Sequence, residues 1–153
     1  VDDFHKKYLS SDDFISVHIR GSDKSIELAN IDEINNQYKI IIDEALTTHK
    51  CNKIFLMTDD SRLLDLFVSY YGEKIIFTDC LRTNNAVGVH HQNSRNARQL
   101  GFEVIVDAYL AKKAKAFIGN GCSNPSLIIS CLKSWPGNSV YLLGKNMFND
   151  PYG

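Results

Sequence analysis

A short segment near the start of the chain combines charges that could bind an anion. Arg20, Asp23 and Lys24 lie within five residues, directly after the strand-like run 14–19, and Gly21 permits a tight turn between them. An arginine can hold a phosphate through two parallel N–H bonds, and a lysine adds a point charge. The alternative is a solvated loop in which Arg20 pairs with Asp23. Because the charges occur together at a strand end, we favour anion binding.

Two adjacent carboxylates follow the next apolar run. Asp59 and Asp60 come after residues 54–57 and Thr58. Such a pair could accept hydrogen bonds from a ribose or a base, or bind a metal. It could also cap a helix, because aspartate is a favoured N-cap and an apolar helical pattern begins at Leu63. Adjacent side chains diverge, so we expect one carboxylate to cap the helix and the other to face a site, without both binding one ion.

A glycine-containing turn stands before the last predicted helix. Gly121 precedes Ser123 and Asn124, either of which suits an N-cap, and Pro125 suits the first helical position. Free backbone N–H groups at such a helix start are well placed for a phosphate. The segment has neither the lysine of a P-loop nor the third glycine of the dinucleotide fingerprint. The competing interpretation is therefore a plain capped turn.

Asp107 is a carboxylate among apolar neighbours. Val104, Leu110 and Ala111 lie three or four residues away from it on one predicted helix. A buried carboxylate without a partner costs several kcal/mol, and we expect the partner to be Arg20 or a backbone amide. In the alternative, Asp107 lies at the polar edge of the helix. We favour the buried, functional position.

These residues are positioned by strands that alternate with helices along the chain. The predicted strands are 14–19, 54–57, 75–77, 116–118 and 140–143. The predicted helices cover about 34–46, 63–71, 101–114 and 125–133. This alternation predicts an α/β, Rossmann-like parallel sheet with helices on both faces. Ligands bind such sheets outside the carboxyl ends of the strands, where the residues above are found.

The composition suits one globular domain. The chain has 153 residues, of which 44% are hydrophobic and 23% charged, and its net charge is −1. No overall field therefore favours nucleic acid or a membrane surface. No apolar run approaches the roughly 20 residues that span a bilayer. Because the chain begins at Val1 and residues 2–8 read as the end of a helix, we expect it to be a piece of a larger protein.

The cysteines and histidines argue against several other chemistries. The four cysteines form no CxxC pair, so neither a disulfide framework nor a zinc ribbon is expected. This pattern favours a cytoplasmic chain with reduced thiols, with a truncated luminal Golgi enzyme as the alternative. Cys122 lacks the downstream arginine of a cysteine phosphatase, since Ile128 stands there, and His90 and His91 lack companions for a metal site. The aromatic residues expected in the core are Phe102, Phe117 and Trp135.

Three of these segments resemble the motifs of one family in order and spacing. Residues 17–24 carry a histidine, an arginine and an aspartate–lysine pair, and residues 54–60 end in Thr-Asp-Asp. Asp107 precedes Ser123 by sixteen residues (123 − 107 = 16). Over most of its length the chain thus resembles the GDP-fucose-dependent α1,6-fucosyltransferases of the core-fucosylation and nodulation type.

The resemblance implies a GT-B glycosyltransferase in which residues 1–153 form the C-terminal, donor-binding domain, with the N-terminal acceptor domain outside this chain. It implies inverting transfer from GDP-fucose to a hydroxyl of a glycan acceptor, without a metal or another cofactor. In this family pattern Arg20 holds the β-phosphate, Asp107 contacts the guanine or supports its pocket, and Ser123 donates to a phosphate. The residues expected to bind the donor are His18, Lys24, Asp59, Asp60, Asp107, Gly121, Ser123 and Asn124.

Two departures from the family pattern leave alternatives open. The second arginine that often follows the first is Gly21 here, and the glutamate that serves as base stands about one residue early, at Glu27. The expected catalytic residues are therefore Arg20 and, as the base for the acceptor hydroxyl, Glu27 or Asp23. The alternative function is a non-catalytic nucleotide- or phosphate-binding module derived from such a transferase. A third is a metal-dependent phosphohydrolase that uses the paired aspartates after the second strand.

Overall fold

The computed structural model describes residues 1–10, 13–21, 31–84 and 97–144. Within these residues, strands and helices alternate after a short first helix. The strands are β1 (Phe14–Ile19), β2 (Lys53–Thr58), β3 (Ile75–Ile76), β4 (Ala116–Asn120) and β5 (Val140–Leu143). The helices are α1 (Asp2–Tyr8), α2 (Ile31–Thr48), α3 (Ser61–Tyr71), α4 (Ala97–Ala111) and α5 (Asn124–Cys131), with a 3₁₀ turn at Gly72–Lys74.

The strands form one parallel sheet in the order β3-β2-β1-β4-β5. β1 is central, and its Ile15 aligns with Ile54 of β2 and with Ala116 of β4. The chain builds the sheet outward from β1 through β2 to β3, and then continues on the other side of β1 with β4 and β5. The strand order reverses between β1 and β4, and in open α/β sheets this is the place where ligands bind.

Helices cover both faces of the sheet. Successive side chains of a strand point to opposite faces, and β1 is buried along its whole length. Its Ile15 and Val17 pack with Tyr38 of α2 and Leu64 of α3. On the other face, Phe14 packs with side chains of α4 and α5. The predicted α/β fold, a parallel Rossmann-like sheet between two helical layers, is confirmed.

Helix ends follow local sequence signals. α3 begins after Asp60, whose side chain accepts the N–H of Arg62, and ends at Gly72, where φ is +55°. Only glycine adopts such a backbone conformation readily. α5 begins after Ser123, with Pro125 in its first turn. None of the helices in the described part of the chain is long and apolar enough to cross a membrane.

Some element bounds differ from the predicted ones. β3 ends at Ile76, β4 continues to Asn120, and α4 begins at Ala97 rather than near residue 101. The additional residues of β4 carry the strand to the level at which β1 and β2 end, so that three strand ends meet at one edge of the sheet.

One expectation about the core is wrong. Phe102 is 66% exposed, whereas Phe117 is fully buried and stacks on Trp135 with 5.9 Å between ring centroids. α4 packs on the sheet near Ala111. At about 100° per residue, a position nine residues away lies on the opposite side of the helix. Phe102 therefore faces away from the sheet, although its sequence context is apolar.

Candidate functional site

A cleft opens where the carboxyl ends of β1 and β2 meet α4 and α5. Its volume is about 250 Å³, slightly below the usual range for small-molecule sites, roughly 300–1,000 Å³. Four predicted site residues line it: His18, Arg20, Asp59 and Asp107. Its apolar walls come from Met57, Leu100, Val104, Ala108, Pro125 and Ile129. Apolar walls with a few charged and hydrogen-bonding groups are typical of a site for a small molecule.

Arg20 follows β1 directly and is held by Asp59. Its Nη1 atom lies 2.9 Å from Oδ2 of Asp59, and the two side chains are 18% and 16% exposed. The N–H of Gly21 donates to Oδ1 of the same carboxylate at 3.2 Å. Because Ile19 and Thr58 are aligned in the parallel pair β1–β2, the two loops leave the sheet side by side. A carboxylate from the second loop thus orients the guanidinium at the cleft.

The carboxylate of Asp60 is used at the start of α3. Its Oδ1 accepts the N–H of Arg62 at 2.9 Å, and the guanidinium of Arg62 pairs with the same carboxylate. Asp60 is 2% exposed and is not among the described residues that line the cleft. The expectation that one of the paired aspartates caps a helix while the other faces a site matches the positions of Asp60 and Asp59.

Position 21 has little room for a side chain. A Cβ atom on Gly21 would lie 2.5 Å from Cδ1 of Leu63 and 3.0 Å from Cβ of Asp60. The first atom ends a flexible side chain that can rotate away, whereas the second is attached to the backbone before α3, which must shift by a few tenths of an ångström to accept the Cβ. The glycine that replaces the second arginine of the family pattern therefore accompanies a close approach between this loop and α3.

Asp107 accepts a hydrogen bond from a residue of the segment that follows β3. The hydroxyl of Thr78 donates to Oδ1 of Asp107 at 2.6 Å. Burial raises the pKa of Asp107 to about 6, while the hydrogen bond from Thr78 and the charge of Arg82 act in the opposite direction. Neither expected partner, Arg20 or a backbone amide, takes this place: the hydroxyl of Thr78 binds Asp107, and Arg20 pairs with Asp59. α4 instead places Asp107 beside the chain as it leaves β3.

That segment is tied to α4 by residues that sequence reasoning did not single out. Oε2 of Glu103 accepts the N–H of Leu81 at 3.1 Å. Arg82 donates to the carbonyl of Thr78 at 2.9 Å and so holds the segment in a compact form. Glu103 stands four residues before Asp107, a spacing that puts two side chains on one helix face. The sequence therefore carried a signal for Glu103, but none for Thr78 or Arg82.

His18 is a buried polar residue near the end of β1. Its Nδ1 lies 2.6 Å from Oγ of Ser126 on α5, and the hydroxyl of Tyr38 on α2 donates to its carbonyl at 2.9 Å. Burial lowers the pKa of His18 to about 4; the charge of Asp59 acts against this shift and that of Arg20 adds to it. The imidazole is therefore neutral at pH 7. No sequence pattern indicated Ser126.

The turn before α5 uses several of its N–H groups within the fold. The N–H of Gly121 donates to the carbonyl of Leu143 at 2.7 Å, and that of Ser123 donates to the carbonyl of Asn120 at 3.0 Å. Oδ1 of Asn120 accepts the N–H of Cys122 at 2.8 Å. The hydroxyl of Ser123 makes no capping hydrogen bond. This turn therefore has fewer free N–H groups for a phosphate than the sequence suggested, and the Ser123 hydroxyl is not used by the cap.

The other predicted site residues fall into two groups. Three lie in the turn after β4 or at the first position of α5, beside Pro125 of the cleft wall: Gly121, Ser123 and Asn124. Three lie outside the described residues: Asp23, Lys24 and Glu27. In the part of the chain that the structure describes, no three or more His, Cys, Asp or Glu side chains are grouped so that they could hold a metal. The roles of these six residues and the metal-free site stay predictions.

Comparison with solved structures gives a match at the level of the fold. A structure described as NodZ alpha-1,6-fucosyltransferase co-crystallized with GDP matches with a TM-score of 0.54 at 20% sequence identity. This chain shares its Rossmann-like fold. The match covers 86% of this chain but 39% of the NodZ chain, so this chain spans less than half the length of that protein. No protein-family model and no curated protein matches the chain.

Proposed function

We propose that this chain is the donor-binding domain of a glycosyltransferase that uses GDP-fucose. The observation that carries the proposal is the position of Arg20, at the carboxyl end of the central strand and on the wall of the cleft that also contains Asp107. The cleft thus offers a cation that can bind a diphosphate and a buried carboxylate that can accept hydrogen bonds from a nucleobase. The NodZ structure, whose fold the chain shares, was co-crystallized with GDP, which supports this choice of ligand.

In this proposal the base of GDP binds against the apolar walls of the cleft and pairs with Asp107. Guanine carries two neighbouring N–H donors on one edge, and an ionised carboxylate can accept both in a bidentate pair. Asp107 is fixed by the Thr78 hydroxyl at 2.6 Å, so its orientation is set by the protein. His18, which lines the same cleft, supplies a further polar contact.

The β-phosphate binds to Arg20, with Lys24 and the turn of Gly121, Ser123 and Asn124 as further contacts. During transfer the acceptor hydroxyl oxygen attacks C1 of fucose from the face opposite GDP. The bond between C1 and the β-phosphate oxygen breaks, GDP leaves with the electron pair, and the configuration at C1 inverts. Negative charge grows on the phosphate oxygen, and a fixed guanidinium stabilises that charge without a metal.

The proton of the acceptor hydroxyl must leave as the new bond forms. We assign this proton transfer to Glu27 or Asp23, because a carboxylate within hydrogen-bond reach of the hydroxyl can act as general base. Both residues follow Arg20 closely in the sequence, by three and seven positions.

Asp59, rather than Asp60, is the carboxylate that we assign to the donor site. Asp60 accepts from the N–H and the guanidinium of Arg62, whereas Asp59 lines the cleft and binds Arg20. A guanidinium has five N–H donors, so the contact with Asp59 is compatible with a phosphate bound to the same side chain. The same geometry weakens the case for a phosphohydrolase, which would need both aspartates for its metal.

Acceptor binding is proposed for a second domain outside this chain, as in a two-domain GT-B enzyme. The chain matches 39% of the NodZ chain, and a glycan acceptor needs a surface of its own. We expect the isolated chain to bind the nucleotide sugar without transferring fucose. Transfer assays therefore require the complete enzyme.

Calorimetry tests the proposed ligand. GDP and GDP-fucose are titrated into the chain, with UDP and ADP as controls, and each titration is repeated with EDTA. We expect selective binding of the guanine nucleotides that EDTA does not change. Equal affinity for GDP, UDP and ADP would contradict the proposed base site, and loss of binding with EDTA would contradict metal independence.

The second candidate function is a nucleotide-binding module without catalytic activity. It is favoured by Gly21, which stands where the family pattern has a second arginine. Position 21 therefore supplies no second cation to the phosphate, and its close packing disfavours a larger side chain there. The two functions differ in one measurement on the complete protein. GDP binding together with neither donor hydrolysis nor fucosyl transfer supports the module, whereas transfer that requires Arg20 supports the enzyme.

A further inference from the structure

We infer that Ser126 positions His18 as a hydrogen-bond donor toward the cleft, by fixing the imidazole in the tautomer that carries its proton on Nε2. The ligand that accepts this hydrogen bond is the nucleotide, and this part of the inference rests on the proposed function. The arrangement of the two side chains is a property of the fold. Ser126 is fully buried in the first turn of α5, directly after Pro125 of the cleft wall.

The hydrogen bonds of the Ser126 hydroxyl determine where the protons lie. Its Oγ accepts the N–H of Asn120 at 2.9 Å and lies 2.6 Å from Nδ1 of His18. A hydroxyl has a single proton to donate, and among the described residues Nδ1 of His18 is the acceptor in reach of it. If Nδ1 carried the proton instead, the hydroxyl proton would be buried without an acceptor, which costs free energy.

The tautomer of His18 follows from this arrangement. A neutral imidazole has one N–H and one nitrogen with a free lone pair. Because Nδ1 accepts from Ser126, the proton resides on Nε2. Burial lowers the pKa of His18 to about 4, so the neutral form is present at pH 7. The Nδ1 side of the ring faces α5 while His18 lines the cleft, so the group that His18 offers a ligand is an N–H donor.

Both residues are held from other elements of the fold. The hydroxyl of Tyr38 on α2 donates to the His18 carbonyl at 2.9 Å, and the N–H of Asn120 on β4 donates to Ser126. A Cβ atom on Gly119 would lie 2.8 Å from Oγ of Ser126, so β4 and α5 approach closely at this point. The tautomer is thus set by packing, and the ligand atom that meets His18 must be an acceptor, such as a carbonyl oxygen or ring nitrogen of a base.

The tautomer can be measured on the chain labelled with ¹⁵N-histidine, from two-bond couplings between ring nitrogens and carbon-bound protons at pH 7. The signals of His18 are identified by their loss in His18→Gln. We expect the Nε2–H form alone in the wild type and a mixture of tautomers in Ser126→Ala. The control Ser130→Ala removes a hydroxyl of the same helix that donates to the Leu127 carbonyl, and it should leave the spectrum unchanged.

An Nδ1–H form in the wild type, or a pure Nε2–H form in Ser126→Ala, overturns the inference. If Ser126→Ala does not fold, Ser126→Cys keeps a side chain of similar size with a weaker donor. We expect Ser126→Cys to show a detectable share of the Nδ1–H tautomer. A Ser126→Cys spectrum identical to that of the wild type also overturns the inference.

GDP binding connects the tautomer to the ligand. We expect Ser126→Ala to weaken GDP binding by about two- to tenfold, the worth of one hydrogen bond. In a His18→Ala background the same substitution should change binding by less than about twofold, because Ser126 acts through His18. Equal losses in both backgrounds contradict the positioning role. If the wild type binds no GDP while the tautomer shifts as expected, the positioning role stands and the proposed nucleotide function fails.

Discussion

Arg20 and Asp59 form an ion pair across two neighbouring strand ends, with 2.9 Å between Nη1 and Oδ2. Asp59 is held in turn by the N–H of Gly21, the residue that follows Arg20. The guanidinium is therefore oriented by the protein, and a phosphate that binds to it need not order a flexible side chain. Such preorganisation increases both affinity and the stabilisation of developing charge.

Replacement of Arg20 should remove most of the binding to the diphosphate. We expect Arg20→Ala to weaken GDP binding by about 2–3 kcal/mol, on the order of a hundredfold, because charge-assisted hydrogen bonds are lost. Calorimetry measures the change, and Arg98→Ala, at an exposed arginine of α4, is the control. In the complete enzyme, Arg20→Ala should abolish transfer, and retained turnover would contradict the role of Arg20.

Arg20→Ala also leaves the charge of Asp59 without this partner, next to the phosphate. The double variant Arg20→Ala/Asp59→Asn separates the two effects, because it removes the cation and the repelling carboxylate together. If the double variant restores wild-type affinity, the loss in Arg20→Ala came from repulsion and Arg20 does not bind the phosphate.

Asp60 should contribute to stability rather than to ligand binding. Asp60→Ala removes the N-cap of α3, which accepts the N–H of Arg62 at 2.9 Å. We expect the free energy of unfolding to fall by about 1 kcal/mol, the usual worth of a cap, with unchanged affinity for GDP. Urea denaturation and calorimetry measure the two quantities. Asp65→Ala, on an exposed position of the same helix, is the matched control; a large loss of GDP affinity in Asp60→Ala would show that Asp60 contacts the donor.

The parts of the fold that could be predicted from the sequence are those set by local patterns. The run 14–19 is β1, the cap before α3 is one of the paired aspartates, and Gly72 ends that helix. The alternation of short apolar runs with segments whose apolar residues follow helical spacing was enough to predict a parallel sheet. Because ligands bind parallel sheets at the carboxyl ends of the strands, Arg20 and Asp59 were expected at one edge of the sheet. In the structure, Nη1 of Arg20 lies 2.9 Å from Oδ2 of Asp59.

The partners of buried polar groups could not be predicted in the same way. Asp107 and Thr78 are separated by 29 residues, and His18 and Ser126 by 108. Such contacts depend on how α4 and α5 lie on the sheet, which periodicity does not determine. The exposure of Phe102 has a related cause: α4 is apolar on several sides, so the pattern alone does not indicate which side is covered.

Asp107 should make GDP binding depend on pH. Its pKa is raised to about 6 by burial, and the ionised carboxylate is the form that accepts two N–H groups of guanine. We expect the affinity for GDP-fucose to fall as the pH is lowered through 6. GDP-fucose is the ligand for this test because the terminal phosphate of GDP itself takes up a proton at about pH 6, whereas the diphosphate of GDP-fucose is esterified at both ends. Asp107→Asn should bind GDP-fucose weakly at all pH values and lack this transition. Calorimetry between pH 5 and pH 8 tests the prediction, and an identical pH profile in Asp107→Asn would contradict it.

Asp107 should also make the stability of the fold depend on pH, with the opposite sign: stability should fall as the pH rises. The pKa of Asp107 rises from an ordinary value of 3.8 to about 6 in the folded chain. Between these pH values the folded chain holds a proton that the unfolded chain has released, so the contribution of Asp107 to stability is lost as the pH rises through 6. At pH 7, Asp107→Asn should therefore be more stable than the wild type by on the order of 3 kcal/mol. Urea denaturation at pH 4 and pH 7 measures the difference, which should fall below about 1 kcal/mol at the lower pH.

Restoration of the second arginine of the family pattern should harm this chain rather than improve it. A Cβ atom on Gly21 would lie 2.5 Å from Cδ1 of Leu63 and 3.0 Å from Cβ of Asp60. We expect Gly21→Ala to lower the free energy of unfolding by about 1–3 kcal/mol, as overpacking does, and Gly21→Arg to lower it at least as much without a gain in GDP affinity. Gly101→Ala is the matched control, because nothing lies within 4 Å of a Cβ at that helical position. That control should gain about 0.5–1 kcal/mol. A stable Gly21→Arg chain with tighter GDP binding would show that the loop after β1 moves away from α3 and that the missing cation can be replaced.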